Sequence, residues 1–97
     1  MFAIVCTPSA DGDLSWFRKA EQRLIVDGVT EQLTHEPMIP TRTPKPLGPN
    51  PIAAWSIRLG DCRVYFDVDS EANLVTIRAV GCKEHNMLLI RGREVKI

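Results

Sequence analysis

The feature that most limits the fold of this chain is a proline-rich segment, residues 37–51 (PMIPTRTPKPLGPNP), in which six residues are proline. Proline lacks a backbone N–H and fixes φ, so the segment cannot form a helix or a central strand. It separates a half with helical periodicity from a half with strand periodicity. At 97 residues the chain is the size of one domain. We therefore expect a single domain over residues 1–97, with the segment crossing its surface and projecting Arg42 and Lys45.

The half before the prolines begins with a short apolar run, FAIVC at residues 2–6, which predicts a buried strand. A helix should follow, and the candidate N-caps are Ser9, Asp11 and Asp13.

Residues 13–36 have the periodicity of helices. Ile25, Val29 and Leu33 recur at a spacing of four, as on the buried face of a helix. The apolar phase shifts near Ala20, so we predict a helical hairpin rather than one long helix. The second helix should end before Pro37, since proline disfavours a helical residue in front of it.

From Trp55 onward the apolar residues alternate with polar ones, which is the period of a strand. Gly60-Asp61 predicts a two-residue hairpin turn, residues 70–73 a second turn, and the tail REVKI a final edge strand. The expected fold class is α+β: an N-terminal strand, a helical hairpin and an antiparallel β-meander. The helices should pack on one face of the sheet and leave a polar face opposite.

The turn at Gly60-Asp61 fixes the register of the sheet and pairs Arg58 with Arg63. The four-residue turn at 70–73 similarly pairs Phe66 with Ile77 and Tyr65 with Arg78. The outer face is then predicted to hold Arg58, Arg63, Tyr65 and Arg78. The inner face should hold Val75, Ile77 and Ala79, before Gly81 interrupts the pattern.

Two interpretations of the outer face remain open. Like charges directly opposite on a sheet repel each other, but solvent screens exposed pairs, so this face could simply be solvated. Alternatively it is an anion site, since guanidinium groups around a tyrosine suit a phosphate or a carboxylate.

Composition narrows the functional classes. The net charge is zero and the pI is near 6.7, which argues against a dedicated nucleic-acid binder but allows a local basic patch. The three cysteines have no CxxC spacing and the two histidines lie far apart, so we expect no disulfide, metal or other cofactor. The cysteines are interpreted as small buried apolar residues in a reducing compartment. With no transmembrane stretch or signal peptide, the expected location is the cytoplasm, away from membranes.

Several motifs in order resemble the RelE/ParE superfamily of bacterial type II toxins. They are the strand WSIRL, the hairpin GDCRVYFDVD and the strand ending AVGCK, preceded by QRLIVDGVTEQLTHEP. The resemblance covers essentially the whole chain and implies a small antiparallel sheet packed on an N-terminal helical hairpin. It also implies a cognate antitoxin that wraps the toxin. RelE-type members cut mRNA within the ribosome, whereas ParE-type members poison DNA gyrase.

The basic positions of the RelE pattern match at Arg58, Arg63 and Lys83. The chain departs from the pattern at Ser56, where a second basic residue is usual, and at Met87, where nuclease members usually carry a tyrosine.

Cleavage of RNA by its own 2′-hydroxyl needs a proton acceptor, a proton donor and positive charge on the phosphorane. His85 could move a proton near neutral pH. The resulting hypothesis is a ribosome-dependent mRNA interferase. Its expected catalytic residues are Arg58, Arg63 and His85, and its expected substrate-binding residues are Arg42, Lys45, Tyr65, Arg78 and Lys83.

Two alternatives remain. The first is a non-catalytic member that acts by binding, as a gyrase poison or a degenerate toxin, and the missing tyrosine and neutral pI favour it. The second is a stand-alone anion-binding domain. The expected partners are an antitoxin and, for the interferase, the ribosome and mRNA; the tail strand could also mediate a homodimer.

Overall fold

The computed structural model describes residues 1–34, 45–47 and 52–95. Two helices and seven strands occur there in the order β1 Ala3–Cys6, α1 Pro8–Ser15, α2 Lys19–Leu33, β2 Lys45–Pro46, β3 Trp55–Leu59, β4 Cys62–Asp69, β5 Leu74–Glu84, β6 Met87–Ile90 and β7 Arg93–Glu94. In this part of the chain, no helix is both long enough and apolar enough to cross a membrane. The predicted α+β fold, with a helical hairpin before a β-meander, is confirmed.

The seven strands form one sheet in the order β2-β3-β4-β5-β6-β7, with consecutive neighbours antiparallel. β1 joins this path from the side and pairs in parallel with the first half of β5, from Ala3 opposite Leu74 to Cys6 opposite Ile77. β5 is therefore central, and β1 and β6 share its second edge.

The helical hairpin forms as predicted, but its boundaries differ. Thr7 is the N-cap of α1, with its hydroxyl accepting from the Ala10 N–H at 3.1 Å, and Pro8 occupies the first helical turn. The three N-cap candidates were wrong because proline suits this position and fixes the helix start earlier. The break between the helices lies at residues 16–18, just before the predicted phase shift near Ala20. The predicted helix end at Pro37 lies outside the described residues.

The main core lies between the helices and the inner face of the sheet. α2 contributes the predicted stripe of Ile25, Val29 and Leu33. At Gly28 the helix approaches β3 so closely that a Cβ would lie 2.7 Å from Leu59 Cδ2. This contact gives a packing reason for a glycine that sequence reasoning treats only as a cost.

β1 is not the buried strand that its apolar run predicts. Ile4 packs against the main core, but Val5 is 45% exposed and Cys6 is also exposed. The strand is exposed because it lies at the side of the sheet, where only one of its faces meets the core.

A β-bulge in β5 changes the predicted register. Phe66 pairs with Ile77 as predicted, but Tyr65 pairs with Ala79, so Arg78 is the extra residue. Beyond the bulge each residue of β5 faces the side opposite to the one predicted. Ala79 therefore packs with Tyr65 on the outer face, and Val80 enters the main core instead. Gly81 does not interrupt the strand, which continues to Glu84.

The outer face is not the uncovered polar surface that the sequence predicts. Tyr65, Ala79 and Leu88 form a second buried cluster there. Five partly buried apolar residues pack on this cluster, and all but Ile90 of β6 come from segments outside the cluster's own strands: Leu47, Ile52, Ala53, Ile90 and Val95. The sheet thus has apolar packing on both faces, with the larger core on the helix side.

Asp13 of α1 joins the helix, the bulge and the β6–β7 turn. Its carboxylate, which is 4% exposed, accepts the Val80 N–H at 3.2 Å and the Arg91 Nε–H at 2.7 Å. Arg91 also donates from Nη2 to the Ser9 carbonyl at 2.8 Å. Gly12 leaves room for this guanidinium, because a Cβ there would lie 2.2 Å from Arg91 Nη2.

Candidate functional site

The β3–β4 hairpin brings Arg58 and Arg63 together as the sequence predicts. Gly60 has a φ of 63° at the first position of the two-residue turn, and Arg58 pairs with Arg63. The Lys83 N–H donates to the Asp61 carbonyl, which makes the Cys62–Cys82 pair non-hydrogen-bonded between β4 and β5. Successive residues of a strand direct their backbone hydrogen bonds to opposite sides, so Arg63, the residue after Cys62, bonds to β5 and not to β3. The Arg58–Arg63 pair is therefore non-hydrogen-bonded, and such pairs have Cα atoms about 4.5 Å apart.

The side chains of the two arginines lie in different environments. Nη1 of Arg63 donates to the Gly60 and Cys62 carbonyls, both at 3.1 Å, so its guanidinium bends over the turn. Arg58 is exposed and lines a groove of about 710 Å³ beside α2, which also includes Glu21 and Leu59. Among the described residues, neither arginine has a carboxylate within salt-bridge distance. The groove beside Arg58 also holds four acidic residues at longer range: Glu21, Asp27, Glu31 and Asp61.

Tyr65 and Lys83 line a second groove, of about 480 Å³, on the outer face; we call it the sheet groove. Its walls are Leu47, Ser56, Tyr65, Lys83, Asn86, Met87, Leu88, Glu94 and Val95. Lys83 is exposed, whereas only 3% of Tyr65 is exposed. Burial raises the pKa of the Tyr65 phenol, and the charge of nearby Arg63 opposes this rise. The groove therefore presents a protonated phenol and an ammonium group to an entering ligand.

His85 lies at the rim of this region. It occupies the two-residue turn between β5 and β6, with φ of 49° at His85 and 66° at Asn86, the pattern of a type I′ turn. The imidazole is exposed and does not line the sheet groove, although Asn86 and Met87 do. Sequence reasoning placed Met87 correctly near the site but missed Asn86, whose position depends on this turn.

Arg78 is not beside Tyr65, in contrast to the prediction. At the bulge its Nε lies 3.6 Å from Oδ2 of Asp67, and it lines a separate groove with Ser9 and Asp13. The ion pair is about half exposed and so contributes little to stability. The bulge thus divides the predicted cluster: Arg63 and Tyr65 stay together and Arg78 is set apart.

The two basic residues predicted from the proline-rich segment have different outcomes. Arg42 lies outside the described residues. The backbone of Lys45 pairs with Ser56, so this residue lies in the strand next to the wall of the sheet groove.

The described residues contain no group of three or more His, Cys, Asp or Glu side chains that could hold a metal ion. The side chains that the site does bring together are charged or hydrogen-bonding: two guanidinium groups, an ammonium group, a phenol and a nearby imidazole. Such a set can bind an anion and stabilise added negative charge on it.

Sequence comparisons identify no relative, since no family model and no curated protein match the chain. Comparison of three-dimensional structures does identify similar proteins. The RelBE2 toxin-antitoxin complex from Mycobacterium tuberculosis contains a similar chain, at a TM-score of 0.74 and 26% identity, covering 84% of this chain and 91% of that one.

Two further complexes show the same fold at lower identity. A chain of the archaeal RelE-RelB complex from Pyrococcus horikoshii matches at a TM-score of 0.65 and 18% identity, over 87% of this chain and 97% of that one. A chain of the YoeB-YefM toxin-antitoxin complex from Staphylococcus aureus matches at a TM-score of 0.61 and 20% identity, over 88% of this chain and 98% of that one. The resemblance seen in the sequence motifs is thereby confirmed: the chain has the fold of RelE-like toxins, and the structures that it resembles are RelE and YoeB toxin-antitoxin complexes.

Proposed function

We propose that this protein is the toxin of a type II toxin-antitoxin module and acts in the cytoplasm by cutting mRNA on the ribosome. The observation that carries the proposal is the likeness, over 84% of the chain, to a chain of a toxin-antitoxin complex. The arginine pair at the end of the β3–β4 hairpin, which forms no salt bridge among the described residues, supports a polyanionic target, because guanidinium groups bind phosphates through paired N–H donors.

In this proposal the basic groups divide the work between binding and catalysis. Arg58, exposed at the hairpin end, engages the phosphate backbone and helps to neutralise the phosphorane that forms when the 2′-hydroxyl attacks. Arg63 supports it from the opposite strand, and Lys83 holds a neighbouring phosphate at the sheet groove. A net charge of zero is compatible with this role since the positive charge is local.

Proton transfer in this scheme is assigned to His85. Its exposed turn lies one residue from the groove wall at Asn86, so a bound RNA strand could come within its reach. Imidazole is the side chain that exchanges a proton most readily near neutral pH. Tyr65 keeps its proton at neutral pH, because burial raises the pKa of the phenol, and it would serve as a hydrogen-bond donor.

A second candidate function is inhibition by binding alone, as in a gyrase poison or a degenerate toxin. The observation that favours it is Met87, which is 40% exposed and lines the sheet groove where nuclease members usually have a tyrosine. A thioether neither accepts nor donates a proton at neutral pH, so that step would be left to His85 alone.

The proposed antitoxin would cover apolar surface on the helical hairpin. Leu24 is 70% exposed and Val26 is 47% exposed on α2, and Val5 is exposed on the nearby strand β1. An amphipathic helix or an added strand could bury these side chains.

The decisive experiment is controlled expression in a bacterial host with sequencing of mRNA 5′ ends. The wild type should arrest growth and produce new ends at codons in the ribosomal A site. Arg58→Ala/Arg63→Ala should abolish both effects while the protein remains folded. The matched control is Arg18→Ala/Lys19→Ala, which removes two exposed positive charges at the start of α2, outside both grooves, and should behave as the wild type.

The same variants separate the two candidates. Growth arrest with intact mRNA would exclude the interferase, and a supercoiling assay with purified gyrase would then test the binding function. Growth and mRNA that are both unaffected by the wild type would contradict the toxin assignment itself.

A further inference from the structure

Two of the three cysteines face each other across adjacent strands. Cys62 of β4 pairs directly with Cys82 of β5, and both thiols are free. The Lys83 N–H, which donates to the Asp61 carbonyl at 2.9 Å, marks this as a non-hydrogen-bonded pair. In such pairs the Cα atoms are about 4.5 Å apart and the side chains are at their closest.

The bulge at Arg78 creates this pairing. Without the extra residue, the register set by Phe66 and Ile77 would place Cys62 opposite Gly81. Both cysteine side chains pack at the margin of the main core and stay partly exposed. Cys62 also lines the open groove beside α2. A small oxidant can therefore reach the pair without unfolding the protein.

We propose that Cys62 and Cys82 are a modification site at which peroxide forms a reversible intrachain disulfide between β4 and β5. A disulfide requires Cα atoms about 4.4–6.8 Å apart, and a directly opposed non-hydrogen-bonded pair meets this requirement. Opposed Cβ atoms are about 4.5–5.5 Å apart, and less in non-hydrogen-bonded pairs, whereas a disulfide holds them about 3.5–4.5 Å apart, so closure needs a shift of at most about 1 Å.

The chemistry consumes one hydrogen peroxide for each disulfide. The thiolate of one cysteine attacks a peroxide oxygen and breaks the O–O bond, giving a sulfenic acid and, after protonation of the leaving hydroxide, water. The second thiolate attacks the sulfenic sulfur and expels hydroxide, which takes up a proton to give a second water. Both thiols are oxidised by one electron each, and the peroxide takes up the two electrons.

The surroundings make this reaction slow at neutral pH and faster in base. Burial raises the pKa of both thiols, and the carboxylates of Glu21 and Asp61 raise them further. Glu84 adds to the rise at Cys82, while Arg63 opposes it at Cys62. Because the thiolate is the nucleophile, the oxidation rate should rise roughly tenfold per pH unit while the thiolate is the minor species.

The test uses the folded full-length chain carrying Cys6→Ser, which leaves only the proposed pair. After treatment with hydrogen peroxide, free thiols are blocked with iodoacetamide and the protein is cut with trypsin. Cleavage after basic residues places Cys62 in residues 59–63 (LGDCR) and Cys82 in residues 79–83 (AVGCK). We expect these two peptides to be joined in the monomer, to separate on treatment with dithiothreitol, and to form faster at higher pH.

Two results would overturn the proposal. One is a monomer in which peroxide yields sulfinic acids but no linked peptide while the circular dichroism spectrum stays native. The other is disulfide that joins two chains only. Cys62→Ser and Cys82→Ser, each in the Cys6→Ser background, are the matched controls and should give no linked monomer.

Discussion

Replacing Asp13 by alanine should destabilise the protein far more than the removal of any exposed carboxylate. Its carboxylate is almost fully buried and accepts two hydrogen bonds, one from the Arg91 guanidinium and one from the Val80 N–H. Loss of a hydrogen bond to a charged group costs about 1.5–3 kcal/mol, and the buried Val80 N–H left without its acceptor adds about 1–3 kcal/mol. Arg91 is about half exposed and can be rehydrated, which offsets part of this cost. We expect a net loss of about 2–4 kcal/mol.

The assay is urea unfolding followed by tryptophan fluorescence and circular dichroism. Asp11→Ala is the matched control, since it removes the same group from an exposed position in α1 and should cost less than about 1 kcal/mol through the helix dipole. A double-mutant cycle with Arg91→Ala should give a coupling energy of about 1–3 kcal/mol. Equal stability of Asp13→Ala and Asp11→Ala, or a coupling energy near zero, would refute the idea that this carboxylate joins α1 to the sheet.

Four further predictions concern two glycines, the pKa of Tyr65 and the groove residue Met87. Gly81→Ala should destabilise the fold by about 1–3 kcal/mol in urea unfolding, since its Cβ would lie 2.6 Å from the Leu89 carbonyl oxygen; Gly60→Ala, with φ of 63° but open space around it, should cost only about 1–2 kcal/mol. Tyr65, the chain's single tyrosine, should ionise above the usual value of about 10 when folded, and unfolding should restore that value. Because the folded-state pKa is raised, stability should hold below about pH 10 and fall as the pH rises through the folded pKa; an absorbance titration at 295 nm that is the same with and without urea would contradict this. If the protein is an interferase, Met87→Tyr should increase mRNA cleavage by about a hundredfold, the low end of what a positioned proton-transfer group contributes; an unchanged cleavage rate would count against a proton-transfer role at this position.

Local rules were sufficient to predict the arginine pair. A two-residue turn with glycine at its first position leaves only one register, so the Arg58–Arg63 pairing follows from neighbouring residues alone. The helical stripe at Ile25, Val29 and Leu33 was equally local. In both cases the deciding interactions lie within a few residues of each other.

The bulge in β5 could not be predicted, because the acceptor for the backbone N–H of Val80 beside it is supplied by a distant part of the chain. The Val80 N–H is satisfied by Asp13, which is remote in sequence and resembled an ordinary helix cap. Because the hydrogen bond from Val80 to Asp13 was not foreseen, the bulge was not predicted, and Arg78 and Ala79 were assigned to the wrong faces of the sheet. The Cys62–Cys82 pair was missed for the same reason, since strict alternation without the bulge pairs Cys62 with Gly81.

The covered outer face was missed for a related reason. Tyr65 alternates with buried residues and so resembled a solvent-facing residue. The side chains that cover it include Leu47 of the proline-rich segment, Ile52 and Ala53 just after it, and Val95 of the tail. Periodicity within a strand shows which residues share a face but not what packs on that face from a distant part of the chain.

The parallel pairing of β1 with β5 has a consequence for biosynthesis. Ala3 of β1 is made long before its partner Leu74 leaves the ribosome, so this strand cannot dock until most of the chain has been translated. The hairpins β3–β4 and β4–β5 join neighbouring segments and can close first, which gives a late docking step for the N-terminal strand. Until that step, the apolar underside of the strand is available to any factor that meets the nascent chain.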